Sequence, residues 1–163
     1  MTVTIDSIIE QMGRLQQLHE SLLALSMRKT EILKSNETEA LQDILVQERK
    51  HVQGINTVEK QRMASTAAWA ETAGLAGEAP TVSEMLEVVE GQERERLQEA
   101  YDAFILVLAD LKQQEVLNAE LTKQSLQFIT MSLDMLQPSL TNMNYCTSSQ
   151  GGEQKRSVFD SKA

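Results

Sequence analysis

The side chains able to do chemistry are few and poorly placed for it. The chain has two histidines, His19 and His51, and one cysteine, Cys146. Glu48-Arg49-Lys50-His51 sets a carboxylate and an imidazole three residues apart, hence on one face of a helix. Di-iron bundles use that half-motif twice, with two further inward glutamates. It occurs once here, and Gln16 stands at the matching offset from His19. No metal centre is expected, and both histidines read as solvated or packed at a helix edge. Nucleophilic catalysis would need a Ser or Cys near a His and a carboxylate, and no segment assembles them. Glu87, Glu90, Glu93, Glu95 and Glu99 spread over several helix faces with Arg94 and Arg96 among them, the pattern of a solvated, ion-paired surface. A glycine-rich phosphate loop with its lysine is missing too. The chain reads as a non-enzyme with no cofactor.

A different chemistry, apolar docking, is concentrated in one place. Between Lys123 and Glu153 lie 29 residues of which only Asp134 is charged, whereas 24% of the chain is charged. Within this stretch Leu126, Leu133 and Leu140 share one side of a helix, with Ile129 and Leu136 at its edge. Phe128, Met131 and Met135 share another side. One face can enter a helical core; the other is left over. Methionine offers a pliable, polarizable contact, so Leu126, Phe128, Ile129, Met131, Leu133, Met135 and Leu136 are the candidate binding residues for a partner helix. The competing expectation is deeper burial, with the segment near residues 75–90 folded over this end. A third possibility is self-association, the leftover face pairing with its twin in a homodimer.

These residues need long helices to position them, and the composition permits little else. Only six of 163 residues are aromatic, and the two prolines, Pro80 and Pro138, leave long stretches uninterrupted. Ile5, Ile8, Met12, Leu15, Leu18, Leu22, Leu25 and Ile32 recur at steps of three or four up to Leu25, drawing one stripe on a helix that ends near Lys34. Asn36, with Glu39 three residues on, is expected to cap a second helix over about 37–73. Its stripe runs through Leu41, Ile44, Leu45, Val52, Ile55, Val58 and Met63. Gly74, Gly77 and Pro80 mark a loop. Thr81 and Glu84 cap a short helix through Met85, Leu86 and Val89. A third long helix follows over about 92–136, striped by Leu97, Tyr101, Phe104, Leu108, Leu111, Leu117, Leu121, Phe128 and Leu136, and Pro138 is expected to stop it.

Short connections fold such helices antiparallel. The fold class is therefore all-α: an elongated antiparallel bundle of three long helices, with a short helix in the connection and a flexible C-terminal tail. Residues 1–137 form the bundle and residues 138–163 the tail. Gly13 and Gly54, at similar distances from the first turn, mark either a close helix approach or tolerated neutral glycines. Inward polar residues are not expected in the middle of the three stripes, which argues again against a carboxylate site embedded in the bundle. A net charge of -9 repels phosphate backbones, so nucleic acid is not an expected partner. No apolar run approaches the roughly 20 residues of a membrane span, and the lone cysteine and lack of a leader pattern suggest the cytoplasm.

Several segments together resemble the FlgN-type flagellar export chaperones. They are Leu22-Leu23 to Lys29 with Leu33-Lys34, Glu48 with Glu59-Lys60-Gln61-Arg62, and Asn118-Ala119-Glu120-Leu121 running into Ser125-Leu126-Gln127-Phe128. The ending, with Tyr145, Gly151-Gly152 and Phe159-Asp160-Ser161-Lys162-Ala163, is similar as well. The resemblance implies that residues 126–136 bind the amphipathic terminal helices of the hook-filament junction proteins FlgK and FlgL and keep them unassembled. It also implies that the tail engages the export gate of the flagellar type III secretion apparatus, with Tyr145 as aromatic anchor and Phe159 and Asp160 beside it. Glu59 and Arg62 are expected to form an exposed ion pair of little energetic weight.

Overall fold

The computed structural model describes residues 4–75 and 79–145, with side chains to Leu136. Four helices follow one another: α1 (Ile5–Ser35), α2 (Thr38–Thr72), α3 (Val82–Val88) and α4 (Gly91–Tyr145). There is no strand among the described residues, so the all-α reading holds. The chain divides into two compact units, Met1–Thr122 and Lys123–Ala163.

In the first unit α1, α2 and the first part of α4 run up, down and up. Gln11 donates to Ser65 Oγ, and Ser21 meets His51, pairings that run in opposite senses along α1 and α2. Arg96 pairs with Asp6, and Gln114 and Asn118 with Thr30, so α4 lies parallel to α1. The turn between α1 and α2 is built differently from the sequence expectation. Asn36 takes the left-handed conformation (φ 57°) and closes the end of α1, its N–H donating to Ile32 O; α2 begins after Glu37 without a side-chain cap. Asparagine tolerates that conformation better than most residues, and the two-residue connection needs it more than it needs a cap.

Two apolar clusters hold this unit. Ile8, Met12, Met85, Leu86 and Leu97 form one, with Trp69, Val82 and Tyr101 packed against it. Thus α3 rests on the start of α1 and of α4, and the expectation that it folds over residues 126–136 is overturned. Thr81 and Glu84 form the anticipated capping box: Thr81 N–H donates to Glu84 Oε2 at 2.7 Å and Glu84 N–H to Thr81 Oγ1 at 3.3 Å. Leu25, Ile32 and Ile44 form the second cluster, near the α1–α2 turn.

Interleaved with the second cluster is a polar layer that the stripes concealed. Ser26, Lys29, Thr30 and Asn118 are all buried. Lys29 Nζ lies 2.7 Å from Glu48 Oε1 and 3.2 Å from Glu115 Oε2, so one cation joins all three long helices. Asn118 donates to Ser26 O at 2.8 Å and accepts from Thr30 Oγ1 at 2.6 Å. Ser26 Oγ donates to Glu115 Oε1. The expectation of stripes free of inward polar groups fails because the inward position of α4 is Asn118, not the neighbouring Leu117, which is exposed. Leucine and asparagine one residue apart point about 100° apart on a helix, and the apolar one was assigned to the core by type.

Two other expectations change. α4 continues through Pro138 to Tyr145; a proline inside a helix forfeits one backbone bond and crowds one carbonyl, which a helix can survive locally. Gly13 has nothing within 4 Å of where a Cβ would stand, and Gly54 faces only the Leu18 side chain at 3.8 Å. Neither glycine serves a close backbone approach.

Three outcomes follow from this packing. Lys29→Met leaves the half-buried Glu48 carboxylate without its cation and should cost about 2 to 3 kcal/mol in urea unfolding, while adding Glu48→Leu recovers most of it. Gly13→Ala should stabilise by up to about 1 kcal/mol in the same assay. The backbone and hydroxyl hydrogen bonds from Thr81 hold the Glu84 carboxyl below its usual 4.5. Its contribution is therefore present above that value and lost as pH falls through the lower folded value. Amide exchange at Met85 should accelerate over that acid range and lose this dependence in Glu84→Gln.

Candidate functional site

The seven apolar residues singled out in the sequence all fall on α4 within the second unit. None is covered by the described residues: Leu126, Phe128, Ile129, Met131, Leu133, Met135 and Leu136 are between 54% and 72% exposed. They form an open apolar surface on a single helix, with Ser125 and Ser132 half-buried between them. Leucine, phenylalanine and methionine left open side by side are uncommon, since contiguous exposed apolar patches usually mark an interaction site. Two of its hydroxyls are engaged with the backbone: Thr130 Oγ1 and Ser132 Oγ are both turned back, donating to Leu126 O and Phe128 O at 2.9 Å. Tyr145 closes α4, but its side chain, like Phe159 and Asp160 of the anticipated tail contact, lies outside the described residues.

The first unit holds a concave feature that the sequence reading missed. A cavity of about 350 Å³ is lined by Met12, Leu15 and His19 of α1, Ile55, Glu59 and Arg62 of α2, Val82 of α3, and Tyr101, Phe104, Ile105 and Leu108 of α4. Glu59 and Arg62 close it with a bidentate ion pair, Nε to Oε2 at 2.8 Å and Nη2 to Oε1 at 2.7 Å. The pair was expected to be exposed, yet the Arg62 side chain is only 17% accessible. The hydrogen bonds it donates to Glu59 hold the guanidinium above its ordinary value against the opposing effect of burial. The signal was available in the heptad-like run Ile55, Glu59, Arg62, which continues an apolar stripe with charged residues.

The histidines are occupied. A carbonyl can only accept, so the His51 Nδ1–H donates to Gln47 O at 2.9 Å and Nε2 is left to accept from Ser21 Oγ at 2.8 Å. His19 donates to Leu15 O at 2.7 Å and stands edge-on to Phe104, ring centres 5.1 Å apart. Glu48 is turned to Lys29, away from any joint site with His51. Among the described residues no cluster of three His, Cys, Asp or Glu is placed to hold a metal ion, and no helix is long and apolar enough to cross a membrane.

What the arrangement offers is an open apolar surface on one helix. Residues 1–151 match the family model described as "FlgN protein". The Bacillus subtilis (strain 168) protein named "Uncharacterized protein YvyG" is 41% identical over 160 residues, covering 96% of this chain and 98% of that protein. No solved structure matches the chain significantly. Lys29, Glu48 and Asn118, which carried the resemblance in sequence, are the residues that meet in the buried polar layer. With the family model spanning nearly the whole chain, this protein belongs to the FlgN family of flagellar export chaperones.

Proposed function

We propose that the chain is a cytoplasmic escort for the hook-filament junction proteins FlgK and FlgL. It binds their amphipathic C-terminal helices on the 126–136 surface of α4, keeps them from assembling early, and hands them to the export gate of the type III apparatus. The observation that supports this reading is the open apolar surface at Phe128, Met131 and Met135, which are 67%, 58% and 72% exposed. No covalent step is involved. A client terminus that is disordered when free orders as a helix against α4, and the apolar area it buries offsets the ordering cost. Because cargo must be released, contacts of modest area suit the task better than an obligate interface. The tail supplies the contact with the gate, through Tyr145 with Phe159 and Asp160.

Self-association of a structural or adaptor protein is the second reading, and the same exposure supports it. A mass measurement in solution, with and without a peptide of the junction-protein C-terminus, separates the two. A tight dimer indifferent to the peptide would sink the chaperone reading. Phe128→Ala combined with Met135→Asp should weaken peptide binding by at least a factor of about 100, taking about 1.5 kcal/mol or more from each side chain. Helical content and melting of the free protein should barely change, since neither residue is covered in the chain. Tyr145→Ala should leave peptide affinity intact and reduce secretion of the junction proteins.

A further inference from the structure

The apolar surface of α4 is too broad for one helix. At 100° per residue, Leu126, Ile129, Leu133 and Leu136 centre on one direction, and Phe128, Met131 and Met135 on another about 145° away. The two groups have similar exposure. Within residues 126–136 the polar positions are Gln127, Thr130 and Asp134, a strip of about 60°, and Ser132, which falls between the two groups on the opposite side. A helix packing on a partner normally buries a stripe a little over 100° wide. A single partner helix can therefore cover one group and leaves the other in water.

We propose that α4 over residues 126–136 binds two amphipathic helices at once, one on its Leu/Ile face and one on its Phe/Met face, both contributed by one client protein. This rests on the chaperone reading above and says what form the client must take there: a pair of helices, not a single segment. A second copy of this chain is the weaker occupant. A symmetric dimer repeats one face against itself, so each copy would keep its other face open. A client with two helices covers both faces. The seven exposed side chains offer on the order of 100 Å² each, so the covered area on this chain approaches the roughly 800 Å² per partner of a standard specific interface. One face alone would supply only about half of that.

The test uses the full chain and an intact junction protein. A photo-crosslinking residue is placed at Met131 in one variant and at Leu133 in another, and the crosslinked client peptides are identified in the complex of one chain with one client. Crosslinks from the two positions to two different client helices are expected. Separately, Met131→Asp with Met135→Asp, and Leu126→Asp with Leu133→Asp, should each weaken client binding more than about 10-fold, and all four together should abolish it. Helical content measured on each variant checks that the fold is kept. Both positions crosslinking to the same single helix would overturn the two-helix inference while leaving the chaperone reading intact. So would crosslinking of Leu133 to another copy of this chain within the client complex. No complex at all with the junction protein would overturn the chaperone reading and this inference with it.

Discussion

One buried cation governs how the three long helices fit together. Lys29 of α1 reaches Glu48 of α2 and Glu115 of α4, and no other described ion pair touches all three. Apolar stripes alone would let long helices slide by a turn at modest cost, since leucines and isoleucines substitute for one another along a seam. An ammonium group flanked by two carboxylates, with Asn118 bonded to Ser26 and Thr30 beside it, fits in one alignment. Any other leaves charges or amides buried without partners, at a cost of a few kcal/mol for each. The layer thus trades some burial for a single register.

That layer also explains what could and could not be read from the sequence. The helix count, the hairpin, α3 with its Thr81–Glu84 box and the open apolar segment all follow from local signals, spacing and turn residues. Lys29 and Asn118 were noticed only as marks of a resemblance, and Glu48 as that and as half of a metal motif, because hydrophobic periodicity has no way to recognise an inward lysine whose counter-charges come from other helices. Leu117 and Asn118 make the point most directly: residue type favoured the leucine for the core, and the register set by Thr30 and Ser26 chose the asparagine. The same limit applies to Asn36, whose type suits either end of a helix. A connection of two residues decided between them.

The buried polar layer and the open surface of α4 concern different parts of the molecule. The residues of the polar layer maintain the bundle within the first unit, whereas the candidate binding residues lie in the second. Bundle contacts lie in the first stretch of α4, and the proposed recognition surface lies in the second. A helix used for binding need not be buried to be formed here, because its first half is already ordered by contacts with α1, through Asp6, Ser26 and Thr30. Nucleation, the costly step of making a helix, is supplied upstream.

The scarcity of charge along residues 124–152, where Asp134 stands alone, sets the kinetics of whatever meets that surface. Without fixed charges nearby there is little long-range steering, so encounter proceeds at the ordinary rates of about 10⁵ to 10⁷ M⁻¹s⁻¹. Ionic strength has correspondingly little to screen. Discrimination among guests must then reside in how long each one stays, a quantity set by side-chain fit and indifferent to salt.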